Sequence, residues 1–302
     1  MDVEIVKSNG QKFRLSDYGV VQDFVVNSID RSVTRESVDG RKGSVDYGTN
    51  IGDRSISVPM IFKASDLHDY AHLRDELFGI LDDDNPFYIR EMRRKDYLQY
   101  EFVDFGQPPS WSSGVENEYV NGKQYKVRLD SSISPEQWDD KPNGDITIEF
   151  VTSGLPFAES IYTTLELHDS GYSSVVEKYG LVDNIDDEKV KYRFTESNFT
   201  VYNAGNVTVE PESMRLVIQI TGATSSGNLS FKNITTGEEF KLSKEITNRN
   251  ISLNGMNVRD GTINAFRDSN RRFISLVPGD NQFEITGATF SEVWFSFKYY
   301  YK

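Results

Sequence analysis

Apolar residues along most of this chain recur at every second position, the spacing that puts them on one face of a half-buried strand. Ile56, Val58, Met60 and Phe62 alternate with Ser55, Ser57 and Pro59, and Ile146, Ile148 and Phe150 do the same around Thr147 and Glu149. Further on, Met214, Leu216, Ile218 and Ile220 share one face, and Val293, Phe295, Phe297, Tyr299 and Tyr301 share another. Pro59 has no N–H for a ladder, which predicts a sheet edge or a bulge at its strand. Asn121-Gly122 predicts a hairpin joining Glu118–Val120 to Gln124–Val127, and Pro278-Gly279-Asp280 one joining Phe273–Val277 to Gln282–Thr286. One segment follows a helical period instead. Ser65 can cap a helix with Leu67, Tyr70, Ala71, Leu77, Phe78 and Leu81 at three- and four-residue spacing, ending near Asp82–Pro86. Tyr172–Tyr179 predicts a short helical turn.

These elements predict a mainly β chain of two domains, in keeping with its 302 residues. Residues 1–155 read as an α+β domain with one amphipathic helix on sheets. Residues 191–302 read as a β-sandwich or jelly roll with Asn, Thr, Ser and Gly turns. Between them, residues 156–190 hold Pro156, Gly171, Gly180 and the acidic run Asp183–Glu188 with little alternation, as a connector would. The irregular stretch 106–134, with Pro108-Pro109 and Ser112-Ser113-Gly114, reads as a loop or arm protruding from the first domain.

Composition narrows the chemistry. No cysteine is present, which removes disulfides, thiolate metal sites and cysteine nucleophiles. No apolar run approaches the roughly 20 residues of a membrane helix, and the N-terminus shows no secretory pattern, so synthesis in a cytoplasm is expected. Acidic residues outnumber basic ones 47 to 33, a net charge of −14. Residues 1–154 hold 28 acidic and 18 basic side chains, so most of the excess lies there. Such a chain repels phosphate backbones, and no specific nucleic-acid binding is expected.

No nucleophile elbow, phosphate loop or dinucleotide fingerprint occurs, and no enzyme activity, cofactor or metal is expected. His68 and His72 share a face of the predicted helix but lack the glutamate of a zinc-protease motif; a solvated face explains them better. His168 has no evident partner. The runs Asp82–Asp84 and Asp183–Glu188 lack EF-hand spacing. Five Asn-x-Ser/Thr sequons, at Asn198, Asn206, Asn228, Asn233 and Asn250, are read as strand-and-turn composition.

Four runs together resemble the N-terminal domain of siphophage distal tail (Dit) proteins. They are Gly40-Arg41-Lys42-Gly43, Gly52-Asp53-Arg54 through Phe62, Tyr70 through Arg74 to Phe78, and Pro86-Phe87-Tyr88-Ile89. Leu155-Pro156-Phe157-Ala158-Glu159-Ser160 is similar to the family's connector, and Phe273–Phe283 with the aromatic last strand to its lectin-like C-terminal sandwich. The resemblance marks Arg41, Gly43, Gly52, Arg54, Arg74, Pro86, Pro156 and Phe157 as family-motif positions without catalytic roles. It implies a virion protein at the tail tip, assembled in the host cytoplasm. Its copies would close into a homohexameric ring through their N-terminal domains. The implied partners are the tail tube protein, the end of the tape measure, the tail-associated tip protein and receptor-binding proteins. A carbohydrate-binding role toward the host wall is the alternative, with Trp111, Trp138 and Trp294 as candidate glycan contacts. If DNA leaves through the ring, an acidic wall would keep it moving, and Asp82, Asp83 and Asp84 are the candidate lumen cluster.

Overall fold

The clearest alternating runs of the first half, Ser55–Lys63 and Asn143–Thr152, pair antiparallel from Asn143 opposite Lys63 to Val151 opposite Ser55. This computed structural model describes residues 1–40, 42–93, 119–120, 122–180 and 182–302. It divides into two units, Met1–Pro156 and Phe157–Lys302. In the first, the strands are β1 (Asp2–Val6), β2 (Lys12–Arg14), β3 (Gly19–Val21), β4 (Val25–Val26), β5 (Arg31–Ser37), β6 (Ser44–Ile51) and β7 (Ser55–Lys63). Helix α1 (Asp69–Leu81) follows, then β8 (Phe87–Arg93), β9 (Tyr119–Val120), β10 (Lys123–Leu129), β11 (Glu136–Gln137) and β12 (Asn143–Thr152). The main sheet runs β2-β1-β8-β10-β12-β7-β3, while β5 and β6 form a separate two-stranded sheet.

The alternation has the expected consequence. Ile56, Val58, Met60 and Phe62 are buried with Ile146, Ile148 and Phe150 in one cluster, and α1 adds Tyr70, Leu77, Ile80 and Leu81 to it. Tyr70 meets Phe62 edge-on at 5.0 Å between ring centroids. The helix start differs from expectation. Ser65 makes no cap; Asp66 Oδ1 accepts from the Asp69 N–H (2.8 Å), and Leu67 is exposed because it precedes the first turn.

Pro59 sits one strand in from the edge. Its carbonyl accepts from the Gln22 N–H (2.9 Å), so its missing donor faces the break between β3 and β4, where only one ladder bond is lost. The stretch 106–134 is also corrected where it is described. Lys123–Leu129 is not part of an arm but a strand between β8 and β12. Among the described residues, Val120 pairs with Met92 and Tyr125 with Ile89, so both segments lie against β8 rather than against each other. Arg41, Trp111 and Asn121 lie outside the described residues.

A polar clamp ties β1, β8 and β10 together. Buried Arg90 donates from Nη1 to Glu4 Oε2 (2.7 Å) and from Nε and Nη2 to Gln124 Oε1 (3.0 and 2.8 Å). These three polar side chains are buried on the face of the sheet opposite Ile5, Ile89 and Tyr125, and the clamp satisfies them there.

The second unit contains β13 (Ala158–Ser160), helices α2 (Thr164–Ser170) and α3 (Tyr172–Tyr179), β14 (Arg193–Phe194), β15 (Asn198–Asn203), β16 (Leu216–Ser226) and β17 (Leu229–Asn233). Next come β18 (Glu239–Leu242), β19 (Glu245–Asn254), β20 (Asn257–Asp260), β21 (Ile263–Asn264), β22 (Gly279–Thr286), β23 (Glu292–Phe297) and β24 (Tyr300–Tyr301). A six-stranded sheet, β14-β23-β16-β19-β20-β21, and a four-stranded sheet, β15-β22-β17-β18, build a sandwich. A column of rings fills it: Phe194 to Phe199 at 4.4 Å, Phe199 to Phe283 at 5.5 Å, Phe283 to Phe231 at 5.0 Å and Phe283 to Phe295 at 5.2 Å.

The stretch 157–190 carries two helices that belong to this unit. Thr164 Oγ1 donates to the Phe295 carbonyl (3.3 Å) and accepts from the Phe297 N–H (3.1 Å), fastening α2 to β23. The hairpin expected at Pro278–Asp280 is absent. Leu276 bridges to Val209 instead, and buried Asn281 satisfies Val277, accepting from its N–H (3.0 Å) and donating to its carbonyl (2.8 Å). The final aromatic run breaks at Lys298-Tyr299, and β24 pairs with β13.

Replacing Glu4 with Ala leaves a buried guanidinium half-paired and should cost the first unit about 3–5 kcal/mol. Glu4→Gln should cost clearly less, and denaturant unfolding of both variants measures the difference. A second expectation concerns pH. Burial pushes the phenols of Tyr162, Tyr192, Tyr299 and Tyr301 far above the ordinary value, and that of Tyr300 up to about 12. An unfolded chain releases these protons near pH 10, so their contribution is intact below that pH and is lost as pH rises toward 12. Circular dichroism should show the loss of the sandwich in step with the phenolate absorbance that follows ionisation of exposed tyrosines such as Tyr47; ionisation of every phenol near pH 10 in an intact fold would contradict it.

Candidate interaction surface

The hairpin β5–β6 stands apart from the core of its unit. Of its strand residues only Val45 is even half-buried, and Tyr47 (61% exposed), Ile51 (55% exposed) and Val33 present apolar surface to solvent, as does Val38 in its loop. Among the described residues, hydrogen bonds fix it at its root. Gly52 N–H donates to the Asp30 carbonyl (2.8 Å), and Asp30 N–H to that of Asp53 (2.9 Å). Arg54 then enters β7, donating its N–H to Thr152 Oγ1 (2.9 Å). A two-stranded hairpin with no third layer is marginally stable in water, so a surface that covers Val33, Tyr47 and Ile51 would stabilise it. Val20 and Val25, on the edge strands beside β7, are exposed as well.

Several family-motif positions gather at this hairpin. Gly43, with φ of +88°, sits in its loop, where a side chain would be strained. Gly52 and Arg54 form its root; Arg54 is buried, its guanidinium lies 5.9 Å from the Tyr125 ring, and its Nε has no acceptor among the described residues. The others lie elsewhere. Arg74 pairs with its neighbour Asp75 (2.8 Å) on the surface of α1, Pro86 precedes β8, and Pro156 and Phe157 mark the change of unit. Sequence reasoning placed an arm at 106–134 and missed the one at 31–51.

The acidic triplet is split by its contacts. Asp83 receives Lys7 Nζ at 2.8 Å, and that hydrogen bond, helped by the Asn85 N–H, holds its carboxyl below the usual range. Lys7 is buried and also lies 4.5 Å from the Phe87 ring, so Asp83 is a structural partner. Asp82 and Asp84 are exposed, and the Asp84 carbonyl accepts from Arg128 Nη1 (2.6 Å).

Both described tryptophans are half-buried. Trp138 donates Nε1 to Asp145 Oδ2 (2.8 Å) with Lys141 6.0 Å from its ring, and Trp294 is half-buried on the face of β23 opposite Val293, Phe295 and Phe297. They belong to different units. His68 and His72 are exposed, and His168 Nδ1 lies 3.4 Å from the Val190 carbonyl. Among the described residues no three His, Asp or Glu side chains gather in a way that could hold a metal ion. No helix there is long and apolar enough to cross a membrane. The Asn233 sequon is buried, its side chain donating to Asn281 Oδ1 (3.2 Å) and to the Ser275 carbonyl (2.9 Å).

Residues 8–152, nearly the whole first unit, match the phage tail protein RIFT-related domain. Across both units the chain has the fold of the SPP1 Dit protein. The two share 15% identity, cover 98% and 99% of each other's chains and superpose with a TM-score of 0.61. That protein's structure is described as a paradigm of the hub adsorption apparatus in phages infecting Gram-positive hosts. Chains of the phage p2 baseplate in its activated conformation are similar at 10% and 9% identity, with TM-scores of 0.44 and 0.43. They cover 98% and 99% of this chain, and 97% of each p2 chain is covered in turn. No curated protein matches the sequence. The first unit is thus a phage tail protein RIFT-related domain, in a chain whose fold is known from a phage tail-tip protein. Its fold is that of a distal tail (Dit) protein, the family its sequence motifs resemble.

Removal of the Lys7–Asp83 contact should loosen the joint between β1 and the end of α1. Asp83→Asn should lower the melting temperature slightly at neutral pH. The difference from wild type should vanish as pH falls through the depressed carboxyl value, because the wild-type contribution is lost there too. Melting curves at graded pH measure it.

Proposed function

We propose that this chain is the hub of a siphophage tail tip, six copies closing into a ring through their first units and joining the tail tube to the tip apparatus. The observation that carries the reading is the exposed hairpin Arg31–Ile51, whose apolar side chains have no cover within their own unit. The hairpin and the surface that covers it are different patches of one chain. Their contact is therefore head-to-tail, and such contacts close into rings when the rotation permits. Closure also occupies exposed strand edges such as β3 and β4, which would otherwise invite aggregation. The acidic first unit suits a channel that passes DNA, and the exposed Asp82 and Asp84 are candidates for its wall. The tube protein, the end of the tape measure and the tip protein are the partners this role requires, and the virion is where it acts.

The test is the mass of the purified full chain by light scattering, alone and with its tube partner. Wild type should give a ring-sized particle. Tyr47→Asp combined with Val33→Asp should give monomers with unchanged circular dichroism, since neither residue belongs to a core. Wild-type monomers at high concentration with the partner present, or rings unaffected by the double substitution, would refute the reading.

A further inference from the structure

A groove of about 660 Å³ opens on the sandwich, lined by Met256, Asn257, Asn264, Phe266 and Arg267. Arg259 lies across from Asn264 on the neighbouring strand, and Arg271 places its guanidinium 5.9 Å from the Phe266 ring, which stacks on Phe273 at 6.3 Å. This is a local excess of positive charge on a chain of net charge −14. Among the described residues, Arg259, Arg267 and Arg271 have no carboxylate partner. Asp260, the nearest buried acid, is taken by Lys244 and Arg249 at 2.7 Å each, leaving exposed Asp268 as the acidic side chain of the turn.

The turn that carries these arginines is held rigid. Asn270 donates to the carbonyls of Glu239 (2.8 Å) and Lys241 (3.0 Å) and accepts from the Lys241 N–H (3.1 Å). Ser243 N–H donates to the Asp268 carbonyl (2.8 Å). Arg271 itself has φ of +59°, a left-handed conformation that glycine or asparagine adopts at less cost. An arginine kept in a conformation that disfavours it points to a use for its guanidinium.

From this arrangement we infer that the groove binds a phosphate-bearing polyol or sugar chain. Guanidinium forks match phosphate oxygens. The Asn257 and Asn264 amides can both donate to and accept from hydroxyls, and the half-buried Phe266 and exposed Met256 give the groove apolar surface for the carbon skeleton. The volume falls within the roughly 300–1,000 Å³ of small-ligand sites. A protein partner would need about 800 Å² on this side, whereas the exposed large apolar residues here are Met256 and Ile263 alone among those described. The inference is independent of ring assembly, because it concerns the second unit by itself.

Titration calorimetry of the full chain with a short poly(glycerol phosphate) oligomer tests it, with neutral glycerol oligomer, polyglutamate and duplex DNA as the other arms. Saturable binding of the phosphate oligomer is expected, weakened about tenfold or more by Arg267→Ala and by Arg271→Gly. Arg271→Gly should keep or raise the melting temperature, since it relieves the backbone, so loss of binding cannot be loss of fold. Absence of saturable binding, equal binding of polyglutamate or DNA, tighter binding of the neutral oligomer, or variants that bind as wild type would each overturn the inference.

Discussion

Everything in the first unit is arranged around the pairing of β7 with β12. These two strands run side by side for nine residue pairs, and a slip of one residue would turn Ile56, Val58, Met60 and Phe62 to the wrong face of the sheet. The register is thus held by the core itself. The same pairing sets where the neighbours begin. The root of the hairpin leads into β7 at Arg54, whose N–H and carbonyl bond to Thr152 at the end of β12, and α1 leaves from its other end onto the buried face. An exposed hairpin can project from this frame because its root is locked by the longest ladder of the unit.

What was legible in the sequence follows from which faces are buried. Strands with one buried face, such as Ser55–Lys63 and Asn143–Thr152, wrote an apolar alternation, and α1 wrote its three- and four-residue spacing. The hairpin wrote neither, because nearly every residue of it faces solvent and only scattered positions such as Val33 and Tyr47 are apolar. Strand β10 was hidden for a different reason: it buries Val127 on one face and Gln124 on the other, where the amide serves Arg90, so no apolar alternation results. Helix α2 depends on Thr164 and Leu167 alone for its buried face, too few for a period to show. Motif resemblance found Gly43, Gly52 and Arg54, and the structure shows what they share, a place on one hairpin or at its root.

The two units solve the problem of an open β-structure differently. The sandwich closes its core with stacked rings and buries amides such as Asn203, Asn233 and Asn281 to satisfy the turns around them. Its exposed large apolar side chains are the scattered Ile234, Met256 and Ile263 among those described. The first unit leaves apolar side chains uncovered on a hairpin and along a sheet edge. That contrast is the physical reason to assign assembly to the first unit and to look for ligand recognition on the second.

Hydrogen–deuterium exchange over residues 31–51, compared between the dilute chain and the chain concentrated with its tube partner, tests the assembly account most directly. Coverage of the hairpin by a neighbour predicts amides that exchange rapidly when dilute and become protected on assembly, while the β7–β12 ladder is protected in both. Equal and rapid exchange of the hairpin in both samples, with particles formed, would contradict it.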